Sequence, residues 1–103
     1  MTAYPIEIPR ERLTEFCRRH SIRRLSLFGS ILRGDFGPES DVDVLVEFEP
    51  GHTVGLLAMA GLELELTALF GRKVDLRTPA ELSRYFRDDV LRSSEVQYEH
   101  SRQ

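Results

Sequence analysis

With 103 residues, 41% of them hydrophobic and 30% charged, the chain has the length for one domain with a modest core and the balance of a soluble globular protein, with no room for a second domain. A formal charge of −3 argues against broad, sequence-independent nucleic-acid binding, and the longest mostly apolar run, Val54 to Phe70, is broken by Glu63 and Glu65 before it reaches the roughly 20 apolar residues of a membrane helix. Met1 to Arg10 carries two prolines and no apolar segment, so it does not read as a signal peptide and a cytoplasmic protein is the default.

Pro9 suits a first helical turn, and Leu13, Phe16 and Cys17 follow at helical spacing, which predicts a helix from about Pro9 to His20. Cys17, the lone cysteine, excludes an intramolecular disulfide framework and reads as a small buried hydrophobe. Arg18, Arg19, Arg23 and Arg24 form either a solvated helix end that complements the dipole or a patch for an acidic partner. Arg24 to Phe28 is a short candidate strand, Ser30 can cap a brief helix to about Arg33, and Gly34, Gly37 and Pro38 force a loop.

The strand Asp41 to Phe48 comes next and ends in a turn at Pro50-Gly51, with Glu47 and Glu49 as exposed residues near its end. Thr53 is a plausible N-cap for a long helix whose apolar face is Leu56, Leu57, Ala60, Leu64 and Met59, and Gly71 stops it. Lys73 to Arg77 is a third strand. Thr78-Pro79-Ala80-Glu81 then combines an N-cap, a proline at the first helical position and a glutamate at the third, the clearest helix start in the chain. Asp88 to Tyr98 reads as a helical turn or two leading into a short edge strand at Val96 to Tyr98. The order of helices and strands indicates an α+β domain, a small mixed sheet flanked by helices.

Strand side chains alternate faces, so Asp41 and Asp43 point one way while Val42, Val44 and Val46 point into a core. Like charges side by side repel, and a divalent cation turns that cost into binding energy. Gly29 just upstream lets a backbone approach a phosphate closely, and the amides around Ser30, with its hydroxyl, present donors to an anion. Taken alone, the two aspartates read better as solvated residues on an exposed strand face; with Gly29-Ser30 in front, a metal and nucleotide site is the better reading. Arg33 stands for either a phosphate contact or a surface ion pair. His20, His52 and His100 have no zinc-site spacing, and Tyr4, Tyr85 and Tyr98 are packing residues before they are modification targets.

Gly29-Ser30, a ten-residue spacer and Asp41-Val42-Asp43 resemble the signature of the DNA polymerase beta-like nucleotidyltransferase superfamily. The fuller string, with Gly71-Arg72-Lys73-Val74-Asp75-Leu76 and Thr78-Pro79, is similar to its minimal nucleotidyltransferase (MNT) branch, small antitoxins found beside HEPN-domain ribonuclease toxins. The resemblance implies the polymerase beta-like fold, Asp41, Asp43 and Asp75 as catalytic carboxylates holding two Mg²⁺ ions, and Gly29, Ser30 and Arg33 on the nucleotide. It also implies ATP as donor and AMP transfer to a hydroxyl, with a tyrosine of a HEPN toxin as acceptor and a hetero-oligomer with that toxin as the assembly. If Asp75 also acts as a base, it must come within hydrogen-bond reach of the acceptor hydroxyl. Two alternatives stay open: an antitoxin that masks its partner without catalysis, and a small-molecule nucleotidyltransferase, for which the chain is short of an acceptor pocket.

Overall fold

The apolar stripe Leu13, Phe16 and Cys17 shapes α1 (Arg10–Arg19), which Pro9 opens and His20 closes. The computed structural model describes residues 4–100; the first three residues of the Met1 to Arg10 stretch lie outside the described residues. After α1 come β1 (Ile22–Phe28), α2 (Ser30–Arg33), β2 (Val42–Phe48), α3 (Leu56–Phe70), β3 (Val74–Arg77), a single 3₁₀ turn (Pro79–Glu81), α4 (Arg84–Ser93) and β4 (Glu95–Glu99). The α+β expectation holds. β1 starts two residues earlier than expected, because Ile22 pairs with Phe48 across an irregularity ahead of Arg24.

The strands form one sheet in the order β3-β2-β1-β4. β1 runs antiparallel to both β2 and β4, and β2 runs parallel to β3. The parallel pair requires a crossover, and α3 provides it. The core lies on the face where α1 and α3 pack: Leu13, Phe16 and Cys17 meet Ile22, Leu25, Leu27, Val42, Val44, Val46, Val74 and Leu76 from the sheet, with Leu62, Leu66 and Phe70 from α3. Burial pushes the Cys17 thiol up to about 12, so it is a packing group, as expected. By alternation, Asp43, Leu45, Asp75 and Arg77 lie on the opposite face.

α3 departs from the expected orientation. Its N-cap is Gly55, not Thr53, and the buried face is Leu62, Leu66 and Phe70. Leu56, Leu57 and Leu64 are 86%, 91% and 72% exposed. The helix is apolar almost all round, so periodicity offers two candidate stripes. The polar flank decides between them: the Val74 N–H donates to Thr67 Oγ1 at 3.0 Å and the Leu76 N–H to Glu63 Oε2 at 2.8 Å. These bonds satisfy outward amides of β3, an edge strand, and turn the Leu62 side of the helix inward.

Two caps also differ from expectation. Gly29, not Ser30, is the N-cap of α2. Thr78 and Glu81 do form a capping box, but it closes only the 3₁₀ turn; Leu82 is extended, and a second start at Ser83, whose Oγ accepts from the Tyr85 N–H, begins α4. The arginine cluster is tied into the fold, with Arg19 on Glu65, Arg23 and Arg24 on Glu47, and Arg24 also on Glu99. Glu47 and Glu49 are correspondingly half-buried rather than exposed, Glu49 accepting from His100 at 2.8 Å. Leu66→Ala is expected to cost about 2–5 kcal/mol in denaturant unfolding, whereas Leu57→Ala stays within about 0.5 kcal/mol; the reverse order would restore the face that periodicity first indicated.

Candidate active site

The turn after β1 and the start of β2 meet at one point. Gly29 has φ of 80°, which β1 needs in order to turn into α2 and which a side chain opposes. A Cβ built on it would lie 2.1 Å from Oδ2 of Asp43. The glycine therefore serves both the turn and the space the carboxylate occupies. Leu32 N–H bonds back to Gly29 O at 3.0 Å and closes the single turn of α2, so what α2 offers a ligand is its free amides and the Ser30 hydroxyl.

The parallel register places Asp75 directly across from Asp43, and Asp41, expected to open β2, stands in the loop one residue before it, near enough for its charge to act on Asp43. Asp43 is the central carboxylate. Burial, followed by the negative charges of Asp75 and Asp41, pushes it above its ordinary value of 3.8, while Arg33 and Arg77 pull the other way. Arg33 ends α2 with a largely exposed side chain, 3.7 Å from Asp35. Asp75 is turned toward its own strand: Arg77 Nε donates to Oδ1 at 3.1 Å and its terminal nitrogen to Oδ2 at 3.4 Å. Among the described residues, no three His, Cys, Asp or Glu side chains stand close enough to hold a metal ion among them.

The donor set still suits a hard cation. It consists of carboxylate oxygens alone, and Mg²⁺ is usually held by one or two carboxylates together with substrate phosphates, without a complete protein cage. The volume that a Cβ on Gly29 would take is occupied by the Asp43 carboxylate, so the glycine lets that donor sit directly against the turn.

The family profile described as Nucleotidyltransferase domain matches residues 10–98. The chain belongs to the nucleotidyltransferase family. The resemblance read from the Gly29-Ser30 and Asp41-Val42-Asp43 string is thereby borne out. The transferase is 40% identical over 78 residues to protein adenylyltransferase MntA of Thermococcus cleftensis, a match spanning 76% of this chain and 77% of that protein. It superposes on a toxin–antitoxin complex with AMP-PNP at a TM-score of 0.72, with 20% identity over 90% of this chain and 75% of that one. On a complex of tri-AMPylated Shewanella oneidensis HEPN toxin with MNT antitoxin the TM-score is 0.64, with 18% identity over 88% of this chain and 70% of that one. At these identities the two structures establish the fold, which is the polymerase beta-like one.

Two arginines of the transferase escaped the sequence reading. Arg77 is one; its only signal is the i, i+2 spacing from Asp75, which puts both on one strand face. Arg72 is the other. One of its terminal nitrogens donates to the carbonyls of Gly37, Pro38 and Ser40 at 2.8, 3.0 and 2.8 Å, and its guanidinium lies 4.6 Å over the Phe36 ring. It ties the loop that carries Asp41 to the turn between α3 and β3. No helix among the described residues is long and apolar enough to cross a membrane.

Gly29→Ala is expected to abolish transfer and to lower stability, because the methyl group must displace the Asp43 carboxylate and adopt a left-handed backbone; activity assays beside thermal melts check this. The raised Asp43 value means that the folded chain holds this proton more tightly than the unfolded chain, so its ionisation lowers stability. That loss is absent well below 3.8 and complete once pH passes the raised value. Asp43→Asn is therefore expected to raise the melting temperature of metal-free protein at pH 7 by a few degrees, and the gain should vanish in acid. A gain that persists in acid would rule out a charge origin.

Proposed function

We propose that the transferase moves AMP from ATP to a hydroxyl of a partner protein in a Mg²⁺-dependent reaction, that the acceptor is a tyrosine of a HEPN-type toxin, and that the modification silences the toxin. The observation that carries this reading is the pairing of Asp43 on β2 with Asp75 on β3, set against the Gly29 turn. The protein adenylyltransferase relative and the AMPylated HEPN toxin bound to a fold neighbour support the choice of donor and acceptor.

In this reading, Gly29, the α2 amides and Ser30 hold and orient the triphosphate, with Arg33 adding a cation beside it. Asp41, Asp43 and Asp75 would hold Mg²⁺, which when bound supplies Lewis-acid polarisation and charge neutralisation at the reacting phosphate. The acceptor oxygen attacks the α-phosphorus in line, forming the new P–O bond as the bond to the pyrophosphate breaks; the hydroxyl proton passes to a base within hydrogen-bond reach. The cytoplasm is the setting this chemistry suits.

The test incubates the purified protein with α-labelled ATP, Mg²⁺ and the candidate toxin. Wild type is expected to label the toxin, and Asp41→Asn or Asp43→Asn to lower labelling about 100-fold or more without loss of fold. Full labelling by either variant would refute the assignment.

A second reading, neutralisation by covering the partner, is favoured by one observation: the bare apolar stripe Leu56, Leu57 and Leu64 on α3. A helix apolar all round is normally covered on every side. This stripe faces away from the sheet, on the side opposite the carboxylates, so a partner seated there leaves the site open. Neutralisation in cells by an Asp41→Asn, Asp43→Asn double variant that is lost on adding Leu57→Glu and Leu64→Glu is the result that selects this reading.

A further inference from the structure

Asp75 does not stand free for a ligand, since both its oxygens are turned to Arg77 two residues along the same strand. The pair is partly open to solvent, with the two side chains 35% and 47% exposed, and one of its bonds is long. An ion pair of this kind is weak and readily exchanged. The arginine is also near enough for its charge to act on Asp43. Arg33 supplies a second positive charge to Asp43 but stands on a different element and pairs with Asp35 instead. The site thus carries Asp43 and Asp75 on paired strands, Asp41 just ahead of β2, and the Arg77 guanidinium committed to the carboxylate of β3.

Resting on the metal-dependent reading above, we infer that Arg77 is a displaceable counter-ion: without nucleotide it holds Asp75 in a two-point clasp, apart from Asp41 and Asp43, and with nucleotide it exchanges that clasp for the phosphates. A guanidinium suits both positions, because its planar fork matches a carboxylate and a phosphate alike. On the i, i+2 tether it need only swing about its own side chain to pass from one to the other. Asp75 becomes available as Arg77 leaves, so the exchange links nucleotide binding to cation binding. The coupling is reciprocal, each ligand raising affinity for the other. Arg77 is accordingly a positioning residue in the free protein and a phosphate contact in the loaded one.

The experiment titrates the full chain with Mn²⁺, followed by electron paramagnetic resonance of the free ion, with and without a non-hydrolysable ATP analogue. Wild type, Arg77→Leu and Arg77→Lys are compared, with thermal melts to confirm that all three fold. Without nucleotide, Arg77→Leu is expected to bind Mn²⁺ about fivefold more tightly than wild type and Arg77→Lys about twofold, since lysine keeps the charge but loses the fork. With Mn²⁺ present, Arg77→Leu should bind the analogue about tenfold more weakly. Arg77→Lys matching wild type in Mn²⁺ binding would reduce the effect to distant charge and overturn the clasp, as would weaker Mn²⁺ binding by both variants. If wild type binds no Mn²⁺ even with the analogue, the metal-dependent reading falls and this inference with it.

Discussion

A methyl group on Gly29 would sit 2.1 Å from Oδ2 of Asp43, so the turn after β1 and the carboxylate on β2 can share that volume only if one of them lacks a side chain. The antiparallel register pairs Phe28 with Asp43, which brings the turn to the carboxylate without any adjustable segment between them. Everything else at the site is arranged around this contact. Val42 and Val44 anchor β2 in the core on the far face, Arg72 fixes the loop entering it, and β3 adds Asp75 opposite Asp43. A sheet is stiff across its ladder, and the site inherits that stiffness from its strands.

Electrostatics set the second constraint. Asp75 and Asp41 both repel the Asp43 carboxylate, and the chain tolerates the arrangement because Arg33 and Arg77 offset part of that charge. Neither arginine is buried or rigidly held. They are therefore cations that an incoming anion can recruit. Arg72 differs, since its bonds to three carbonyls commit it to the fold.

The strand carboxylates were legible because their signal is local. The i, i+2 spacing put Asp41 close to Asp43, although Asp41 stands one residue ahead of β2, and the Gly29-Ser30 spacing gave the pair the pattern of the family. Asp75 was legible only through resemblance, as strand pairing across a 15-residue helix cannot be read from the residues between. The misplaced face of α3 has a plain cause: a helix apolar on two sides gives periodicity no preference, and the choice was made by Glu63 and Thr67 bonding to β3. The Thr78 box was legible as a helix start, but the helix it opens is a single 3₁₀ turn, because the extended Leu82 resets the chain before Ser83. Arg77 went unread since its meaning lies in a contact, not in its identity.

The sheet order also has a temporal side. β1 and β2 are joined through one turn and a short loop, so the glycine and the Asp43 carboxylate can meet early in a folding chain, when closing a small loop costs little entropy. Asp75 joins only after α3 has formed and carried β3 back alongside β2, and β1 does not gain its second neighbour until β4 arrives. The contact between Gly29 and Asp43 is thus a local structure, and the pairing of Asp43 with Asp75 is a tertiary one. In a folding chain the first can form before the second.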